Sequence, residues 1–254
     1  MKSWTACLAI LVLSCLTTAC SGGGGGGSGS SSSDNSSGSG NGNGSSGSGT
    51  PPPTENLASI STPPEPWTIP ATTLTTSDSD GNTYSLSISN VTPAGTVPFD
   101  GHTANTAVLA LGLSENGAVT YLQDATVYYV SNPFQPLGLS GSVSTSSGTP
   151  PAPYTATVTS FTPFPATLTV GSSGPVLSAT YKDPSGDVIG QLTETYTVTA
   201  NSPTALDVNI EASATFNDAA IGQTITYSLS DTGSLQPTLA GVQLTVNGTT
   251  LTFH

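Results

Sequence analysis

The 254-residue chain contains no arginine and only two lysines, Lys2 and Lys182, against fifteen Asp and Glu. Its formal net charge is −13, and removal of Lys2 with an N-terminal leader makes it −14. Without a row of cations the chain cannot neutralise nucleic-acid phosphates. It has no basic patch for anionic lipid headgroups and no Arg clamp for a phosphorylated substrate. Two histidines, His102 and His254, leave it short of the commonest acid–base side chain. All three cysteines lie at or before position 20, so the remainder has neither a disulfide nor a thiolate metal site. Residues 66–254 hold no Gly-x-Ser-x-Gly nucleophile elbow, and the lone Lys182 completes no Ser-x-x-Lys pair. Aromatic platforms for sugars are thin, with Trp67 the only Trp beyond the leader. These absences favour a non-enzymatic protein that needs no cofactor.

Residues 1–19 read as an export signal, with Lys2 as its positive start and Trp4 to Leu16 as a short apolar run. The run is about half of what a membrane-spanning helix needs. It ends in Leu16-Thr17-Thr18-Ala19-Cys20. Small residues before a Cys, directly after an apolar run, resemble the lipobox of bacterial lipoprotein precursors. The resemblance covers about twenty residues and departs from the family pattern at Thr17, where Leu, Val or Ile is usual. Cys15, after Val12-Leu13-Ser14, is a rival site that would cut inside the apolar run. The resemblance implies diacylglyceryl transfer to Cys20, cleavage before it and a lipid anchor in the bacterial envelope. Ser21 follows the Cys, and by the family's sorting rule the absence of Asp there implies the outer membrane, on either its periplasmic or its outward side.

Residues 20–65 continue as a tether. Positions 21–50 are Ser and Gly with a few Asn or Asp and a final Thr, including six consecutive Gly at 22–27. With nothing apolar to bury, such a stretch is expected to stay disordered. Pro51 to Pro53 and Pro63-Pro64 stiffen its far end. A coil of about 45 residues spans on the order of 35–40 Å, enough to hold a folded body clear of a membrane.

Residues 66–254 alternate with period two, the signature of strands with one buried and one wet face. Leu206, Val208, Ile210, Ala212, Ala214 and Phe216 share one face, and Asp207, Asn209, Glu211, Ser213 and Thr215 the other. Val188, Leu192, Tyr196 and Val198 oppose a line of Thr, and Tyr84, Leu86 and Ile88 alternate with Ser. The same reading puts Tyr84, Tyr121, Tyr129, Tyr181, Tyr196 and Tyr227 on core faces and Tyr128 outward.

Asn247-Gly248 is a hairpin turn that sets Val246 against Thr249, Leu244 against Leu251 and Val242 against Phe253. A turn at Asp183 to Gly186 sets Tyr181 against Val188 and Leu177 against Leu192. One at Ser202 sets Val198 against Leu206 and Tyr196 against Val208.

An internal repeat of roughly seventy residues runs over 83–145 and 154–216, with a partial copy at 226–254. Tyr84 to Pro93 matches Tyr154 to Pro163, and Thr226 to Ser230 repeats residues 83–87. The expected fold is all-β: an antiparallel meander of about ten main strands, four then four then two, in a closed or half-closed barrel or sandwich. Two tandem immunoglobulin-like sandwiches are the alternative. Ser and Thr fill the wet faces, so edge strands lack the Lys that commonly blunts them.

The candidate sites are few. Asp78-Ser79-Asp80-Gly81-Asn82 resembles the start of a calcium loop, with Asp78, Asp80 and Asn82 as ligands. The EF-hand positions for Gly and Glu hold Thr83 and Ser89 instead, and Asp-Gly is ordinary turn chemistry. His102 reads as an exposed loop residue. Glu194 points by alternation to the apolar face, as a buried acid or at a strand end open to water. The expected function is a lipid-anchored envelope protein with a structural or interaction role, its membrane contact made through the anchor and its protein or glycan partner unspecified. A binding protein for an apolar or glycan ligand is the alternative, with a hydrolase behind it.

Overall fold

The computed structural model describes residues 54–56, 71–89, 92–131, 134–145, 152–165, 167–202, 205–216, 219–230, 238–246 and 249–254. The leader, Cys15, Cys20, the Gly/Ser tether and Trp67 lie outside the described residues. Every regular element among the described residues is a strand. They are β1 (Thr54–Asn56), β2 (Thr72–Ser77), β3 (Thr83–Ile88), β4 (Thr92–Phe99), β5 (His102–Glu115), β6 (Ala118–Ser131), β7 (Phe134–Thr145), β8 (Ala152–Phe161), β9 (Thr167–Thr169), β10 (Ser173–Lys182), β11 (Val188–Ser202), β12 (Ala205–Phe216), β13 (Ala219–Ser230), β14 (Thr238–Val246) and β15 (Thr249–Phe253).

Short β1 and β9 pair only with each other, and the other thirteen strands form one antiparallel sheet. Its order is β15-β14-β13-β12-β11-β10-β8-β7-β6-β5-β3-β2, a meander in which chain neighbours are almost always sheet neighbours. Long β5 serves two partners: β4 pairs along its first half and β3 along its second. The two ends of the sheet meet. Thr75 N–H donates to the carbonyl of His254 at 3.3 Å and His254 N–H to that of Thr75 at 3.4 Å. The sheet is therefore a ring of twelve strands with one thin seam, and the single continuous sheet excludes two tandem sandwiches.

Alternation decides what lies inside. Leu206, Val208, Ile210, Ala212 and Ala214 on β12 are buried, as are Leu86 and Ile88 on β3, and Leu192, Tyr196 and Val198 on β11. They belong to one hydrophobic cluster that takes in both halves of the ring. Twelve strands about 4.8 Å apart would make a round ring roughly 18 Å across, wider still with tilt, and hollow. The inward side chains are almost inaccessible to water, so they fill the interior of the ring rather than leaving it open. Outward positions carry Thr and Ser, which bond along the surface. Thr245 and Thr250 hydroxyls lie 2.8 Å apart, Thr226 donates to Asn209 at 2.8 Å and Ser228 to Asp207 at 2.6 Å.

Registers test the hairpin readings. β14 and β15 pair as expected, with Val246 on Thr249, Leu244 on Leu251 and Val242 on Phe253. The other two hairpins keep the expected faces but shift by two residues. Tyr181 pairs with Gly190, Ala179 with Leu192 and Leu177 with Glu194, because a bulge beside Lys182 and a longer loop displace the partner strand. Val198 pairs with Val208 and Tyr196 with Ile210, with a second bulge between Ala200 and Ser202. The first bulge also moves Val188 off the core face, to 57 % exposure, and Gly190 takes the inward place. Tyr84 is half-buried rather than core. Three strands, β13 to β15, follow the second repeat instead of two, and β2 adds another before the first.

Two glycines permit close approaches. At Gly141 on β7 a Cβ would lie 2.5 Å from the Asp124 carbonyl oxygen and 2.8 Å from the Tyr154 hydroxyl, so the tyrosine lies across this strand. At Gly138 a Cβ would meet the Ala156 carbonyl oxygen and the Phe99 ring, which stacks on Tyr128 at 4.0 Å between centroids. Gly141→Ala is expected to lower stability by about 1–3 kcal/mol through overpacking. Gly222→Ala, whose new methyl would meet only the Thr245 Cβ at 3.6 Å, is expected to cost nothing. Urea unfolding of the two variants checks the contrast.

Candidate functional site

The inward face is not wholly apolar. Positions 121 and 123 on β6, 154 on β8, 181 on β10, 194 on β11 and 223 on β13 place two carboxamides, three phenols and a carboxylate inside the ring. Tyr121 donates its hydroxyl to Gln123 Oε1 at 3.3 Å. Gln123 Nε2 in turn donates to the Tyr154 hydroxyl, over the bare backbone of Gly141. The Tyr154 and Tyr181 rings lie 5.9 Å apart between centroids. Burial pushes the Tyr181 phenol well above its ordinary range, and the proximity of Tyr154 and Glu194 adds to it.

Glu194 is 1 % exposed. It sits in mid-strand, opposite Leu177 and Ala212, so the reading of a strand end open to water does not hold. One strand further on, Ala212 pairs with Gln223, so acid and amide share a row with a methyl group between them. Gln223 is 3 % exposed, and among the described residues neither its Nε2 nor its Oε1 has a hydrogen-bond partner. Lys182, the only Lys beyond the leader, is exposed on the outward side. A general acid or base must come within hydrogen-bond reach of its substrate. This belt is closed off by the side chains around it and offers no such approach.

Alternation had flagged Glu194 but not its companions. Gln123 lies between Tyr121 and Ala125, and Gln223 between Ile221 and Ile225, so the same period-two test would have found both. Tyr154 was missed as a core tyrosine because the flanking Thr and Ala gave little contrast.

The acidic turns are built differently. Asp78 Oδ1 accepts from the backbone N–H of Asp80 and of Asn82, each at 2.9 Å. Its Oδ2 accepts from Asn82 Nδ2 at 2.9 Å and the Tyr84 hydroxyl at 3.0 Å. Asn82 Oδ1 accepts from Asn116 Nδ2 at 3.1 Å. Asp78 and Asn82 thus direct their oxygens at protein donors and close the loop between β2 and β3.

The loop between β10 and β11 repeats the design. Asp183 Oδ1 accepts from the N–H of Ser185 at 2.9 Å and of Asp187 at 3.0 Å, and Gly186, like Gly81, has positive φ. Hydrogen bonds from these neighbours hold both carboxyls below the usual Asp range, outweighing a smaller desolvation effect. Among the described residues no three His, Cys, Asp or Glu gather as metal ligands. His102 is exposed beside the tight turn at Asp100-Gly101. The chain matches no protein-family model, no curated protein and no solved structure.

Replacing Gln223 by Met is expected to raise stability by about 1–3 kcal/mol, the cost of an unsatisfied buried amide. A loss in urea unfolding would show that a buried water serves it in solution.

The titrating groups set a pH window. The depressed Asp78 and Asp183 carboxyls contribute stability above the ordinary value of 3.8, lost as pH falls through their folded values. Tyr84 is raised to about 12, mainly by burial, and Tyr154 and Tyr181 go higher. Their contribution is complete below the ordinary value of 10.0 and is lost as pH climbs through the folded values. Melting temperature should therefore form a plateau that falls at both ends. Phenolate absorbance should show these three tyrosines ionising later than exposed ones.

Proposed function

We propose that this chain is a bacterial envelope lipoprotein, anchored through Cys20 and probing its surroundings with a non-enzymatic β body of structural or interaction role. The observation that carries the reading is the division of polar groups in the ring. Its inward acid and amides are sealed inside a filled core, while its outward face is rich in Thr and Ser hydroxyls, with single apolar side chains such as Val108, Leu122 and Val188 exposed among them. A filled core supports a rigid body over a lumenal ligand carrier. An outward Thr/Ser face is the inverse of a spanning barrel, which turns an apolar band to lipid and a polar interior to water. Membrane contact would then rest on the anchor, and the tether would hold the body about one domain's width away. The family's sorting rule points to the outer membrane.

Metabolic labelling with an alkyne fatty acid tests the anchor. The wild-type protein should label and partition into detergent, and Cys20→Ala should do neither. Label persisting in that variant would overturn the assignment of the acylated residue.

A further inference from the structure

The seam of the ring is unlike the rest of the sheet. β2 pairs fully with β3, and β15 fully with β14, on their other sides. Across the seam, among the described residues, the backbone bonds are the two between Thr75 and His254, at 3.3 and 3.4 Å. Both are long for N–H···O bonds, whose usual distance is about 2.9–3.0 Å. Alternating strand residues direct their N–H and C=O to the same side. Thr73 and Ser77 on β2 therefore turn these groups toward the seam with Thr75, and Thr250 and Thr252 on β15 do so with His254. Thr73, Ser77 and Thr250 are exposed.

The other free edge of the sheet is protected. β4 pairs only with β5, and it carries Pro93 and Pro98, which have no N–H to offer, and a bulge between Pro93 and Gly95. β2 (TTLTTS) and β15 (TTLTF) have no proline, lysine or bulge. The seam also has a charge. Asp78 follows β2 directly, and Asp78, Asp80 and Glu115 all act electrostatically on the Tyr84 hydroxyl. Thr75, Thr76, Ser77, Thr83, Tyr84 and Ser85 line a shallow hollow beside them.

We propose that this seam is a strand-addition site for an extended segment of a partner protein that carries Lys or Arg at the end nearest Asp78, Asp80 and Glu115. Main-chain pairing with the free groups of β2 or β15 supplies affinity, and the acidic end fixes direction, in the manner of edge-strand recognition. Opening the Thr75–His254 pair and rearranging the buried Leu74 and Phe253 beside it is the conformational cost. The inference rests on the interaction role proposed above and names the surface that performs it.

The test is amide NMR on the ¹⁵N-labelled protein with a synthetic peptide of alternating Thr and Val that has Lys near one end. The expected result is shifts at Thr73, Ser77, Thr250 and Thr252, and roughly tenfold weaker binding by the peptide with Glu in place of Lys. Thr73→Pro and Ser77→Pro remove edge N–H groups that make no seam bond among the described residues, and should abolish the shifts. A peptide N-methylated on its pairing amides should also fail, whether or not the variants fold. No shifts, shifts elsewhere, or equal binding of the Glu peptide would overturn the proposal. So would the same amides shifting with protein concentration alone, which would make a second copy the occupant. Loss of acyl label at Cys20 would remove the anchor and leave these shifts in place, so the two readings fail separately.

Discussion

A sheet with one apolar face has to keep that face from water, and this chain does it by turning a single sheet back on itself. No helix among the described residues covers the sheet, and no helix there is long and apolar enough to cross a membrane. Among the described residues, closure of the sheet on itself supplies most of the burial, with Leu168 on β9 and Phe164 packing in from outside the ring. Leu74 and Phe253, near the two ends of the ring, are both buried, so side chains shut the seam where backbones barely touch. The small inward residues Ala107, Ala125, Ala156, Ala179 and Ala212 leave room inside for the large Tyr121, Tyr181 and Phe253.

The chain handles polarity with few charges. Where many proteins solvate a sheet with Lys and Glu, this one uses hydroxyls that bond across to polar side chains of the neighbouring strand. Among the described residues, carboxylates close turns, as at Asp78 and Asp183, stand on the outward face, as at Asp207 and Glu211, and lie in the core at Glu194. The core belt works against stability in the simple sense, because apolar residues of similar volume would avoid the desolvation of Glu194 and Gln223. Buried polar groups can fix register, and a sheet of near-identical Thr-rich strands has unusual need of that.

That degeneracy explains what the sequence could and could not disclose. Strand identity and facing followed from period two, and the Asn247-Gly248 turn defined its hairpin because a two-residue loop leaves one register. The hairpins at Asp183 and Ser202 came out two residues away from expectation. A loop of uncertain length admits several registers that bury the same face, and the two bulges are set by neighbouring strands. Val188 was misplaced for that reason. Closure of Thr75 on His254 had no local signal at all. Of the site, Glu194 was legible from alternation, whereas its burial depended on the two strands beside it. The four bonds of Asp78 are local, but the loop they close is tied down by Asn116, from a turn some thirty residues away, which donates to Asn82 Oδ1.

The Asp183 and Asp78 loops have a bearing on how the chain reaches this fold. Both Asp carboxylates take their bonds from residues within six positions, so these turns can form as soon as their own hairpins exist. Meander pairing likewise joins neighbours in order. The seam alone joins residues about 180 positions apart, and such distant contacts come late and slowly in folding. A chain delivered from its N-terminus would hold β2 as an open edge until β15 arrived. For that interval the protein is an unclosed sheet, and its survival depends on how long neighbours are kept from that edge.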